Sequence, residues 1–232
     1  GNDVLNINQD IYVDEAGHFV RFRVALENTS DQEIASLRYM RTMDPDIDAD
    51  FSDSESAFDT SFSVPVQPEN GLPGFITARG AESGIPLTYI SLDPNFRFSS
   101  YEFSPRDPYV NEAWEDPNLY DDDGLSVESL VADQGMHMTI DLQNLGTGDA
   151  AEFEFFVVLN QEVITELSDN HFLLGSSESE FFVPGYQSDI VINGRGGQDT
   201  YLFSLINFSD DMEESVEPIY QEIILHDGDM II

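Results

Sequence analysis

The sequence contains neither lysine nor cysteine. Without thiols it has no disulfide framework and no Cys-ligated zinc to staple the fold. Its cations are eight arginines set against 46 Asp and Glu, a formal charge of -38. Sequence-independent nucleic-acid binding needs surplus cations to displace counterions from phosphates, so that class is excluded. Docking on an anionic membrane through a basic patch is excluded on the same ground. Long apolar runs are also missing. The longest, Phe155 to Leu159, falls far short of the ~18–20 residues that span a bilayer, so no direct membrane insertion is expected. No secretory signal pattern occurs, and a chain starting on Gly1 reads as a monomeric module excised from something longer. Catalytic signatures are absent too. His18, His137, His171 and His226 are scattered, with no His-Glu-x-x-His and no Gly-x-Ser-x-Gly, which points away from an enzyme. A glycosidase-type carboxylate pair is defined by its separation in space, so an acid-rich sequence neither supports nor excludes one.

What is present is enough apolar material for a core. Apolar residues make up 41% of the chain and aromatics 12%, which opposes the disorder that high net charge favours. From Phe19 to Asn28, Val20, Phe22, Val24 and Leu26 alternate with Arg21 and Arg23, the period of a half-buried strand. The turn Asp14–Gly17 pairs it with Ile11–Val13 as a hairpin. Ile34–Met43 reads as a further strand. His137–Leu142 and Ala151–Leu159 read as partners across the turn 144–149, and Ile219–Leu225 as a final strand. Glu162–Leu167 and Ser126–Asp133 read as short helical turns. The expectation is an all-β protein: one Ig-like antiparallel β-sandwich over 1–232, with long loops in an irregular region of about 44–135. Eight of the eleven prolines fall within 52–135. Ordered loops of that length commonly carry binding function.

Two physical accounts fit the acidity. A halophile surface spreads its carboxylates evenly, whereas a divalent-cation protein clusters them. The segment Asp44-Pro45-Asp46-Ile47-Asp48-Ala49-Asp50 puts four aspartates at alternate positions, with Asp53 close behind. In an extended backbone these share a face and repel unless a cation lies between them. Ca2+ takes about six to eight oxygens, and such spacing supplies them from a short stretch. A second cluster runs from Asp116 to Gly124 and includes Asp121 and Asp123. Asp107, in Pro105–Tyr109, joins the candidate ligands. Neither cluster fits the EF-hand loop. Arg79 stands in the irregular middle, where a guanidinium can fork onto a ligand carboxylate. Tyr109, Trp114 and Tyr120 either line a pocket there or pack the loops together.

The stretch Gly194-Arg195-Gly196-Gly197-Gln198-Asp199-Thr200-Tyr201-Leu202 resembles the calcium-binding nonapeptide of RTX proteins. Gly194, Gly197, Asp199 and Tyr201 fit, while Arg195 replaces a glycine. This RTX-like segment spans about 193–203 and makes Asp199 a candidate ligand. Several stretches together resemble domains of large secreted RTX adhesins of Gram-negative bacteria. They are Val20–Ser30, Tyr39-Met40-Arg41-Thr42-Met43-Asp44-Pro45-Asp46-Ile47-Asp48, Ala78-Arg79-Gly80 with Gly84–Leu87, and Asp141–Phe155 as a closing hairpin. The resemblance implies a calcium-dependent peptide-binding domain, extracellular on the bacterial surface. Several Ca2+ ions would order its loops and hold a ligand's terminal carboxylate. Asp44, Asp46 and Asp48 would be ligands of those ions. Arg79, Tyr109 and Trp114 as ligand contacts, and Asp50 as a metal ligand, rest on the residues alone. The partner implied is a peptide or protein on a host or neighbouring cell. The alternatives are a calcium-rigidified spacer module and an extracellular glycan-active protein.

Overall fold

The computed structural model describes residues 4–14, 17–48, 60–69, 72–102, 107–165, 172–176, 178–183, 190–195, 198–202, 221–224 and 230–231. The alternation from Phe19 to Asn28 becomes a strand, while of Ile34–Met43 only Arg38–Met43 does. In chain order the strands begin with β1 (Leu5–Val13), β2 (Phe19–Asn28), β3 (Arg38–Met43), β4 (Thr60–Ser63) and β5 (Gly74–Gly80). They continue with β6 (Pro86–Ser91), β7 (Phe96–Tyr101), β8 (Ser129–Ala132), β9 (Gly135–Asp141) and β10 (Ala150–Leu159). A 3-10 turn, Asn111–Ala113, lies between β7 and β8 among the described residues. These elements belong to the first of two compact units, which holds residues 1–69 and 74–160; the second holds 70–73 and 161–232. The sequence had suggested one domain over the whole chain.

The first unit is the expected antiparallel sandwich. A seven-stranded sheet runs in the order β1-β2-β10-β6-β5-β4-β8, and a three-stranded sheet in the order β3-β9-β7. Phe22, Val24, Leu26, Ile76, Phe153, Phe155 and Val157 of the large sheet form one buried cluster with Phe96, Phe98, Met136, Met138 and Ile140 of the small one. Phe22 and Phe155 stack at 4.8 Å between ring centres. Each fully buried side chain of this size contributes about 1.5–3 kcal/mol, which is how the fold bears its self-repulsion.

Several sequence expectations change here. The region 44–135 is not one irregular stretch: β4 to β8 lie within it. Their runs of four to seven residues are too short for their periodicity to stand out. Ser129–Ala132 is a strand rather than a helical turn, because pairing with β4 decides its backbone. Glu162–Thr165 is likewise a strand. The turn 144–149 does not close a hairpin. β9 pairs with β3 and β7 while β10 pairs with β2 and β6, so that connection crosses between sheets.

The second unit follows a different rule. Its strands are β11 (Glu162–Thr165), β12 (Phe172–Leu174), β13 (Glu180–Val183), β14 (Ile190–Asn193), β15 (Thr200–Tyr201), β16 (Gln221–Ile224) and β17 (Met230–Ile231). Odd-numbered strands form one parallel sheet and even-numbered strands another, so the chain winds as a parallel β-roll. Phe172 pairs with Val191 and Phe181 with Thr200, so these turns each take 19 residues. Ladder rings mark the repeat: Phe182 stacks on Tyr201 at 5.1 Å.

Candidate metal centre

Topology brings acidic loops together at one end of the small sheet. β3 and β7 both run antiparallel to β9, with Met43 opposite Met136 and Tyr101 opposite Gly135. The residues leaving β3, those leaving β7 and those entering β9 therefore emerge at the same end. There Asp44, Asp46 and Asp133 each present a carboxylate oxygen, all within 4.8 Å of one another, and all three residues are exposed. Like charges at ~4 Å repel by about 1 kcal/mol per pair even in water. A metal ion reverses that sign, and an all-oxygen donor set suits a hard cation.

Asp48 does not join this group. β3 ends at Met43 and residues 47–48 form a turn, so the four alternate aspartates do not share one extended face. The Asp48 carboxylate is buried, and its Oδ2 accepts the amides of Glu82 at 2.7 Å and Ser83 at 3.3 Å. It thereby caps the turn between β5 and β6. A hydrogen bond from the Ser83 side chain, then the Glu82 amide, holds this carboxyl below its ordinary value against the cost of desolvation. Its second oxygen is buried without a partner. Gly80 permits the approach, since a Cβ there would lie 2.5 Å from Asp48 Oδ1. Asp50 lies outside the described residues.

A cleft of about 440 Å3 opens where β7 ends, at the same end of the small sheet, lined by Tyr101, Glu102, Val110, Glu112, Tyr120 and residues 121–124. Among the described residues five carboxylates and no cation line it. Gln134, next to Asp133, donates from Nε2 to Asp122 Oδ1 at 3.4 Å and so ties the two acidic features together. Asp121 shapes the rim, its Oδ1 accepting the amides of Asp123 at 3.1 Å and Leu125 at 2.8 Å. Gly124, at φ +73°, supplies the left-handed residue of that turn. Asp123 is exposed beside it. Burial, then the hydrogen bond to Asp116, pushes the Tyr120 phenol up to about 12. Burial, then the fields of Glu112 and Asp107, raises Tyr101 as well, and its hydroxyl is buried without a partner. Both phenols therefore stay neutral donors near neutrality. Asp107 itself is exposed, and its Oδ1 accepts the Tyr109 amide at 2.9 Å.

Tyr109 and Trp114 stand elsewhere, around Arg38. Arg38 opens β3 at the end of the sheet opposite Met43. Its Cζ lies 5.2 Å from the Tyr109 ring centre and 4.7 Å from that of Trp114. The Tyr109 hydroxyl donates to the Ser36 carbonyl at 2.6 Å. The aromatic pair thus fastens the loop over β3, while Tyr109 itself stays 52% exposed. Arg79 sits on β5 in the large sheet, opposite Ser61 and Pro86.

In the second unit Asp199 is buried, with Oδ1 accepting the Glu180 amide at 3.0 Å. Glu180 occupies the equivalent place one turn earlier, with Oε2 buried and unpartnered. Each carboxylate lies over a glycine, Gly194 and Gly175 respectively. Sequence reasoning found Asp199 and missed Glu180, although Gly-x-x-x-x-Glu at 175–180 mirrors Gly-x-x-x-x-Asp at 194–199. It also missed Asp133, Glu102 and Glu112, whose partners are distant in the chain. Comparison with protein-family models and with curated proteins finds no match.

Proposed function

We propose that the first unit is a calcium-dependent ligand-binding domain of a secreted bacterial adhesin, taking a peptide or protein ligand and doing no chemistry on it. The observation that carries this reading is the meeting of Asp44, Asp46 and Asp133 at the same end of the small sheet as a five-carboxylate cleft. These acids come from separate loops, so one ion would join the segments after β3 and before β9. Three carboxylates leave several of the about six to eight positions around Ca2+ open. A ligand carboxylate can occupy them, while the rings of Tyr101 and Tyr120 line the cleft at the same end of the sheet. The resemblance to RTX adhesin domains supports calcium as the ion and the extracellular surface as the setting.

The test has two stages. Ca2+ at ten times its dissociation constant should stabilise the fold by ~1.4 kcal/mol per site, which neither Mg2+ nor matched NaCl should reproduce. Equal stabilisation by NaCl overturns calcium in favour of a halophile surface. Peptides with free and amidated C-termini are then compared for binding in Ca2+ and in chelator. Calcium-dependent capture of the free acid alone is the expected result. One observation favours a second reading, a calcium-rigidified spacer: Tyr109 and Trp114 are engaged with Arg38. Stabilisation by Ca2+ without capture of any peptide decides for the spacer.

A further inference from the structure

The strand β1 is one edge of the seven-stranded sheet, with no partner on its outer side among the described residues. The Thr29 amide donates to the Val4 carbonyl, and that of Asp14 to the Phe19 carbonyl. Even-numbered residues therefore aim their backbone at β2. By the alternation of an antiparallel ladder, Leu5, Ile7, Gln9, Ile11 and Val13 turn their amides and carbonyls outward. Three of these expose apolar side chains: Ile7 57%, Ile11 58% and Val13 55%. Ile7 and Ile11 lie opposite the core residues Leu26 and Phe22, so they extend the core face past its shelter.

Such an edge is unguarded. Protein edges are ordinarily blunted by charge, proline or brevity. The other edge of this sheet, β8, obeys that rule, with four residues between Glu128 and Asp133. β1 has nine residues and one charge, Asp10. Together β1 and β2 carry Asp10 and Glu27 against Arg21 and Arg23, a net charge of zero in a chain of -38. The acidity that would repel a neighbour has been left off this strip.

We infer that β1 pairs with β1 of a second copy of this chain, antiparallel about a two-fold axis at Gln9. The strand is self-complementary in that register. Gln9 meets Gln9 of the second copy, Ile7 meets Ile11 and Leu5 meets Val13. On the other face Asn8 meets Asp10, and Asn6 meets Tyr12. All outward backbone groups fall opposite outward groups. A slide of two residues in one direction sets Asp10 against Asp10, and in the other it shortens the overlap. The interface is isologous and closes on itself, so it ends at a dimer.

Because the chain has no cysteine, single introduced thiols report the register cleanly. Opposed residues of a hydrogen-bonded pair have Cα atoms about 5.5 Å apart, within disulfide reach. Gln9→Cys should oxidise to a covalent dimer, while Asn6→Cys, several residues from its counterpart, should not. Sedimentation equilibrium should give twice the 26.0 kDa chain mass, with dimer strengthening as NaCl shortens the Debye length from about 8 Å to about 3 Å. Asn8→Asp should weaken the dimer by about fivefold or more and Asn8→Lys should tighten it, since two symmetry-related pairs change at once. Asn8 is exposed in the single chain, and unchanged circular dichroism confirms that folding is untouched. A monomer at every concentration and salt overturns the inference. So does Gln9→Cys linking no better than Asn6→Cys, or a dimer indifferent to both Asn8 changes.

Discussion

The guanidinium carbon of Arg38 lies 4.7 Å from the centre of the Trp114 ring. Arg38 also makes an ion pair with Asp141 at 3.3 Å, and its side chain is only 11% exposed. A cation so enclosed loses much when its aromatic cover goes. Trp114→Ala should lower unfolding free energy by about 2 kcal/mol, and Trp114→Phe by about 0.5–1 kcal/mol, as read from urea midpoints. Ligand capture by the folded fraction should be unchanged in both variants. A loss of capture at undiminished stability would return Trp114 to the binding surface.

Asp46 and Asp133 repel without a cation and, in the proposed function, share one, so the effect of their removal should change sign with calcium. In chelator the double variant Asp46→Asn/Asp133→Asn should be at least as stable as the parent, because about 1 kcal/mol of like-charge repulsion per pair is relieved. In saturating Ca2+ it should be less stable, since it forgoes the ~1.4 kcal/mol or more of binding linkage. Melting temperatures in the two buffers check both halves. A variant destabilised equally in each would show that these carboxylates serve the apo fold.

Asp48 predicts a pH dependence of definite sign. Its folded pKa is held below the ordinary 3.8, chiefly by the Ser83 side chain and the Glu82 amide. Its stabilising contribution is therefore complete above 3.8 and is lost as pH falls from there through the folded pKa. Asp48→Asn should be less stable than the parent near neutral pH, and the gap should close in acid. Urea midpoints measured down through this range give the comparison. A gap of constant size would mean that geometry, not charge, makes the contribution.

The sequence disclosed what is periodic and local. The β1–β2 hairpin was legible because alternation from Phe19 to Asn28 continues over ten residues. Asp44 and Asp46 were legible as a pair because they are neighbours in the chain. Asp133 was not, because β3–β9 pairing alone brings it to them. Asp48 stands apart from that pair because Pro45 and the following turn end the extended backbone on which an alternating face depends. Tyr109 and Trp114 read equally well as pocket or packing, and their contact with Arg38 was not legible because Arg38 is distant in the chain. In the second unit one nonapeptide was visible, but the 19-residue repeat was obscured by Glu180 standing where the next turn has Asp199.

That repeat supports a last prediction, on the β-roll. A Cβ on Gly175 would lie 2.7 Å from the Gly194 carbonyl of the next turn and 2.9 Å from Glu180 Oε2. The carbonyl belongs to the backbone that follows β14, so it cannot retreat without opening the β12–β14 ladder. The carboxylate is buried, and its other oxygen accepts the Ser176 amide at 2.8 Å, so it has little room to swing. Gly175→Ala should therefore cost about 1–3 kcal/mol, the range for overpacking a filled site. The cost should be confined to the parallel strands, because β12 and β14 pair only with members of their own sheet. Amide hydrogen exchange reads the two units separately. Protection should fall across β12 to β15 and persist in β2, β9 and β10. An equal fall in both units would show that they unfold together, while unchanged exchange would mean that the turns separate more easily than their packing implies.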